Sequence, residues 1–219
     1  KLKQQVEEQY RINNLPEAYF KKLFFIDNAI DIPVYKLPAN ELLQVYFIGR
    51  GTPQKRVHLI AAIAEMIYKK GLPVKFNFVG DVDKMIDLSA FPYCRFYGNV
   101  KAETAMKNIY EKADVLLLTS SFEGLPIVVM QMMAYGKVVV STAINGIPDY
   151  IYHQENGLLI KALDEIEIIK EGAVYIELLL HNPEMRIKLG KRSREIATEK
   201  FSKEAFCAGY HKLLKLEAD

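Results

Sequence analysis

Val115-Leu116-Leu117-Leu118-Thr119-Ser120-Ser121-Phe122-Glu123-Gly124-Leu125-Pro126-Ile127 decides the fold. Four consecutive apolar residues with no polar alternation read as a strand covered on both faces, the mark of a central strand in a parallel sheet. A hydroxyl-rich loop follows. Pro126 then stands at a helix start, where its missing N–H costs nothing. The helix runs through residues 127–135 and stops at Gly136. A buried strand that feeds a helix through a short loop is a βα unit.

The unit recurs on both sides. Upstream, residues 43–48 form an apolar strand stopped by Gly49. Residues 54–70 carry Val57, Ile60, Ala61, Ala64 and Ile67 at helical spacing, closed by Gly71-Leu72-Pro73. Residues 74–79 and 94–97 give two more strands, each ended by a glycine, and residues 104–112 give a helix. Downstream, residues 138–140 and 157–160 read as strands. From Glu165 the chain is helical, with Pro183 opening a second helix and Ser202 capping a third. The pattern predicts an α/β fold, a Rossmann-like parallel sheet with helices on both faces.

Residues 1–35 do not fit this unit. Residues 1–22 are polar and weakly helical. Residues 23–26 have the composition of a strand, but Asp27-Asn28, Pro33 and Pro38 follow closely, which reads as a connector arriving from elsewhere. We expect three parts: a connector over residues 1–35, a Rossmann-like domain over 36–201 and a C-terminal helix over 202–219.

Composition narrows the function. The 219 residues suit one large domain, or one domain plus a fragment. Half are hydrophobic, and 29 Lys and Arg face 27 Asp and Glu, which excludes a disordered chain and gives no support to a nucleic-acid binder. No apolar run approaches the roughly 18 residues of a membrane helix. Two cysteines, Cys94 and Cys207, argue for a reduced, cytoplasmic setting. The chain opens on Lys1 without a signal-peptide pattern, which suggests a piece of a longer protein.

In an open parallel sheet, ligands bind beyond the carboxyl ends of the strands. Gly49-Arg50-Gly51-Thr52-Pro53-Gln54-Lys55 follows the first strand. Arg50 supplies a forked donor and Lys55 a point charge, a pairing suited to a diphosphate. The same residues also fit a plain loop with solvated cations. Gln54 stands where a nicotinamide fingerprint needs a third glycine. Asp81-Val82-Asp83 follows the second strand; it fits hard-metal ligation but suits a turn better. The histidines are scattered, so no zinc cluster is readable.

The loop 119–126 is the most informative. The helix start offers free N–H groups and a positive dipole end for phosphate. Glu123 stands free to accept from sugar hydroxyls, and Gln131 lies one turn into the helix. Each also has an ordinary reading, Glu123 as a helix-dipole partner and Gln131 as a polar helix position. The basic run Arg186, Lys188, Lys191, Arg192 and Arg194 fits contact with the inner face of a membrane. The interleaved Glu184, Glu195 and Glu199 favour a solvated helix face.

Taken in order, Gly49-Arg50 and Lys55, Phe96-Tyr97-Gly98-Asn99-Val100, Ala113-Asp114-Val115, Ser120 to Pro126, Ala134-Tyr135-Gly136-Lys137, Asn145-Gly146-Ile147-Pro148-Asp149 and Glu155-Asn156-Gly157 resemble the C-terminal, donor-binding domain of retaining GT-B glycosyltransferases, the "glycosyl transferases group 1" family. Asn28-Ala29-Ile30-Asp31 is similar to the Asn-Gly-Ile-Asp of that family's interdomain crossover.

The resemblance implies a sugar transferred from a nucleotide-diphosphate donor to a glycan or lipid-linked glycan held by a missing N-terminal domain. It implies no cofactor and no metal, and an isolated fragment that turns over little. By the same resemblance, Arg50 and Lys55 would bind the diphosphate, with Gly49 beside it. Asn99 and Val100 would lie against the base. Glu123, with Gly124, Leu125 and Pro126, would meet the sugar, and the backbone at Ile127 and Val128 would meet the phosphates. Gln131 replaces a second Glu that grips the ribose, Ala29 replaces the connector glycine, and Arg56 replaces the glycine after the lysine. The glutamine opens a second reading, a glycosyltransferase-like binding module with impaired catalysis. A nucleotide-sugar epimerase on the same fold is a third.

Overall fold

Leu43–Ile48 (β1) starts a six-stranded parallel sheet that continues through Val74–Val79 (β2), Arg95–Phe96 (β3), Val115–Leu118 (β4), Val138–Thr142 (β5) and Gly157–Ile160 (β6). The computed structural model describes residues 2–36 and 40–216. Pro38 and residues 217–219 of the expected C-terminal helix lie outside them. The strand order is β3-β2-β1-β4-β5-β6. The order reverses between β1 and β4, the switch point at which doubly wound sheets bind ligands.

The helices are Leu2–Ile12 (α1), Val57–Lys69 (α2), Glu103–Lys112 (α3), Ile127–Ala134 (α4), Glu165–His181 (α5), Pro183–Phe201 (α6) and Lys203–Leu216 (α7). Packing of α2 on α5 and of α4 on α6 covers both faces, as right-handed crossovers in opposite directions from β1 and β4 require. Every residue of β4 is fully buried. Pro126 is the N-cap of α4, one place before the first helical position. The Ser202 hydroxyl accepts from the Ala205 N–H at 3.2 Å, the expected cap.

Residues 23–26, which could have formed a strand, do not form one. These residues are extended but join no sheet. The connector instead lies along the helix ends. Ile26 packs against Gly209 of α7, the Ile30 N–H donates to the Phe201 carbonyl at 2.8 Å, and the Tyr150 hydroxyl donates to Asp27. Helix-end carbonyls and side chains, not a sheet edge, satisfy the segment. The helix expected from residue 54 begins three residues late, behind a 3-10 turn at Pro53–Lys55.

Lys137 stands where α4 turns into β5 and is 2% exposed. Its ammonium donates to the Glu111 carbonyl at 2.7 Å, capping the end of α3. Burial pulls its pKa down to about 8, against the partial offset of Asp114 and Glu111. Below pH 8 the folded chain pays to keep this charge. Between about pH 8 and 10.5 the unfolded chain holds a proton that the folded chain has released, so this group's contribution to stability rises with pH. The full effect is on the order of 3 kcal/mol. Urea unfolding at pH 7 and pH 9 should show wild type gaining on Lys137→Met. A constant gap would contradict the assignment.

Candidate functional site

Two loops meet at the switch point, residues 49–56 after β1 and residues 119–126 after β4. Backbone and side chain lace them together. The Ser121 N–H donates to the Gln54 carbonyl at 2.9 Å, and the Gln54 amide donates to the Phe122 carbonyl. The Thr119 hydroxyl donates to the carbonyls of Arg56 at 3.0 Å and Lys55 at 3.2 Å. From β5, the Thr142 hydroxyl donates to the Ser120 carbonyl at 2.7 Å.

Arg56 is the functional-site neighbour that sequence reasoning treated only as a departure. It adopts φ +46°, ψ +49°, the left-handed region in which a glycine is at ease. Its guanidinium repays the strain across the cleft. Nε donates to the Thr119 carbonyl at 2.7 Å and Nη2 to the Ser120 carbonyl at 3.1 Å. Arg56→Ala keeps the left-handed backbone and loses both bonds, an expected cost of about 2 kcal/mol. Arg56→Gly loses the same bonds but relieves the backbone, so it should cost about 1 kcal/mol less. Chemical denaturation measures both; equal losses would contradict the strain argument.

Lys55 and Glu123 form an ion pair, with 14% and 9% of their side chains exposed. The Ser120 hydroxyl donates to the same Glu123 oxygen at 2.7 Å. This corrects the expectation that Glu123 stands free in its loop. The loop folds inward, and the carboxylate is buried where Lys55 and Ser120 compensate its charge. Arg50 remains exposed, and its guanidinium has no hydrogen-bond or ion-pair partner among the described residues. Gly49 lies against Lys55, and Gly124 approaches Gly146 of the next loop.

Pro126 accepts from the N–H groups of Val129 and Met130. Those of Ile127 and Val128 are left at the open first turn of α4, where an anion is favoured. Leu125 and Val128 are half-buried, Ile127 is exposed, and Gln131 is half-buried on α4. Asn99 and Val100 follow β3, two strands from β1. Lys55 and Glu123 are therefore brought together, while Asn99 and Val100 stand at the far end of the same sheet edge.

Asp81 has a local task. Its carboxylate accepts from Lys84 at 2.6 Å and from the Gly51 N–H at 3.0 Å. Lys84 first, then Gly51, hold its pKa down to about 2. It pins the Gly51 loop, 30 residues away in sequence. Among the described residues no group of three or more His, Cys, Asp or Glu side chains is placed to hold a metal. The basic run on α6 is partly spent inside the fold. Arg186 donates to the Leu179 carbonyl, Arg192 pairs with Glu155 and Glu195, and Arg194 donates to the Ala134 and Pro33 carbonyls.

The family model described as "Glycosyl transferases group 1" matches residues 33–196. The chain belongs to that family. This group 1 domain is 28% identical over 210 residues to the poly(ribitol-phosphate) alpha-N-acetylglucosaminyltransferase of Staphylococcus aureus, covering 90% of this chain and 40% of that protein. It superposes on a point mutant of S. aureus TarM, solved with fondaparinux, alpha-GlcNAc-glycerol and UDP, with a TM-score of 0.70 and 25% identity over 87% of this chain and 39% of that one. Anabaena HepE, solved with UDP-glucose, matches with a TM-score of 0.65 and 19% identity over 81% of this chain and 49% of that one, a likeness of fold. The group 1 domain thus has the Rossmann-like fold of GT-B glycosyltransferases and spans less than half the length of these relatives. No described helix is long and apolar enough to cross a membrane.

Proposed function

We propose that this domain binds a nucleotide-diphosphate sugar over Gly49, Lys55 and Glu123. Within its whole protein, the sugar then passes to an acceptor glycan or lipid-linked glycan, with retention and without a metal. The Lys55–Glu123 pair carries the reading: a nearly buried cation and anion at the switch point, between unpartnered Arg50 and the open first turn of α4. The relatives' ties to UDP and to glycan-modifying transferases support the substrate class. Their greater length supports an acceptor held by another domain.

Donor binding would divide the ion pair. The diphosphate competes for Lys55 and recruits Arg50. Glu123, released from the ammonium but still held by Ser120, turns its free lone pairs to the sugar hydroxyls. As the glycosidic bond breaks, negative charge builds on the leaving diphosphate. Arg50, Lys55 and the N–H groups of Ile127 and Val128 are already in place to meet it, which is electrostatic stabilisation without reorganisation. Gly124, Leu125 and Pro126 shape the sugar side, Gln131 faces the ribose, and Asn99 and Val100 bound the base.

A thermal-shift panel of nucleotide sugars on the 219-residue chain tests this reading. At 100-fold excess over Kd a true donor adds about 2.7 kcal/mol, a rise of about 5 °C or more. A flat panel at millimolar concentrations would overturn it. Gln131 sustains the second reading, an impaired binding module, because an amide holds ribose hydroxyls without charge. Sugar transfer by the wild-type full-length protein would end that reading.

A further inference from the structure

Gln44 and Tyr46 of β1, Lys75 and Asn77 of β2, and Arg95 and Tyr97 at β3 are spaced two apart along their strands, so each pair points to one face of the sheet. The ladder register sets Gln44 beside Lys75, then Tyr46 beside Asn77 and Asn77 beside Arg95. The opposite face of these strands carries Val45, Phe47, Phe76 and Phe78, all buried core. The polar face instead lines a cavity of about 640 Å³ under α3, within the range of small-molecule sites.

Three features of this cavity point to a ligand. Lys75, Arg95 and Lys112 bring three cations to it, and no Asp or Glu lines it. The nearby Asp114 does not line it; its Oδ2 accepts from the Gln44 N–H and the Asn40 amide, at 2.8 and 2.9 Å, and its Oδ1 is buried without a partner among the described residues. Arg95 and Lys112 have no ion-pair partner among the described residues. The Arg95 guanidinium lies 4.8 Å over the Tyr97 ring, a stack that holds it in place with its N–H fork unspent. Finally, Tyr46 is 1% exposed, yet its hydroxyl meets only that of Tyr97, at 3.4 Å. That is long for a hydroxyl pair, so the half-buried Tyr97 is a weak partner for it. Buried tyrosine hydroxyls ordinarily find a closer one.

We propose that this cavity is a second ligand site, which takes a phosphorylated sugar. The phosphate would sit on Arg95, with Lys75 and Lys112 adding charge. The tyrosine rings and aliphatic stems would face the C–H side of the sugar, and the Tyr46–Tyr97 hydroxyls with the amides of Gln44 and Asn108 would meet its hydroxyls. Val100 borders the cavity and also belongs to the proposed base end of the donor cleft, so an occupant here would couple to the donor reciprocally. The site itself does not rest on the donor reading.

Calorimetric titration of the 219-residue chain with glucose 6-phosphate tests it, with glucose and inorganic phosphate as controls and a repeat at saturating UDP. The expected result is binding by the sugar phosphate, tighter than either control and retained with UDP present. Arg95→Gln and Tyr46→Phe, which remove an exposed charge and a single oxygen, should each weaken it about tenfold or more. No binding up to the order of 10 mM, equal binding of glucose or inorganic phosphate, displacement by UDP, or indifference to both substitutions would overturn it.

Discussion

Lys55→Met should cost the domain about 3 kcal/mol of stability, at the low end of the range for breaking a buried pair, and weaken donor binding by about one to two orders of magnitude. The first effect follows from burial. Glu123 would keep its charge in a nearly closed pocket with the Ser120 hydroxyl as its remaining side-chain partner. The second follows from the loss of a point charge on the diphosphate. A second substitution separates the two. In Lys55→Met with Glu123→Gln no uncompensated charge remains, so most of the stability should return while donor affinity stays low. A double-mutant cycle by urea denaturation and calorimetry reads both quantities. Unchanged stability in Lys55→Met would show that the ion pair is not formed in solution.

Gly80→Ala should be at least as damaging, a loss of about 4 kcal/mol or more. Gly80 sits at φ +126°, outside the range of residues with a Cβ, and an added Cβ would lie 1.8 Å from the Gly49 carbonyl oxygen. Neither side can yield easily. The Gly80 N–H donates to the Gly98 carbonyl at 2.8 Å, and the Gly49 N–H to the Val79 carbonyl at 3.0 Å. The ends of β1, β2 and β3 are thus locked together by backbone alone, and a methyl group there displaces the loop that carries Arg50 and Lys55. Gly71→Ala is the control. Its φ is +66° but nothing lies within 4 Å, so it should cost only about 1 kcal/mol. Thermal unfolding of the two variants checks the contrast, and similar losses would mean the close approach is not real.

The sheet was legible because its signals are local. Four unbroken apolar residues announce β4 and Pro126 announces α4, and β2 stops at Gly80, whose positive φ the backbone geometry demands. The packing of residues 23–30 was not legible. The apolar run at residues 23–26 has strand composition, but which surface accepts it is settled by α6 and α7, far away in sequence. The site was half legible. Arg50, Lys55 and Glu123 could be named from loop position and family pattern. That Glu123 turns inward onto Lys55 and Ser120 depends on a contact across 68 residues of chain, and no spacing rule reports it. Arg56 showed only as a replacement for a family glycine, and its bracing role stayed hidden for a related reason. A residue type does not reveal a left-handed backbone, and its partners lie in the other loop. Alternation in β2 was visible, but which face α3 would leave open was not.

The central claim is that the cleft at the switch point holds a nucleotide diphosphate on Lys55. Calorimetric titration of wild type and the Lys55→Met, Glu123→Gln double variant with UDP and GDP tests it most directly. The double variant is expected to keep the fold, which its urea denaturation checks, so binding alone is read. The account predicts saturable binding of at least one nucleotide to wild type and a loss of tenfold or more in the variant. Equal affinity in both proteins, or no binding of either nucleotide to wild type at millimolar concentrations, would contradict it.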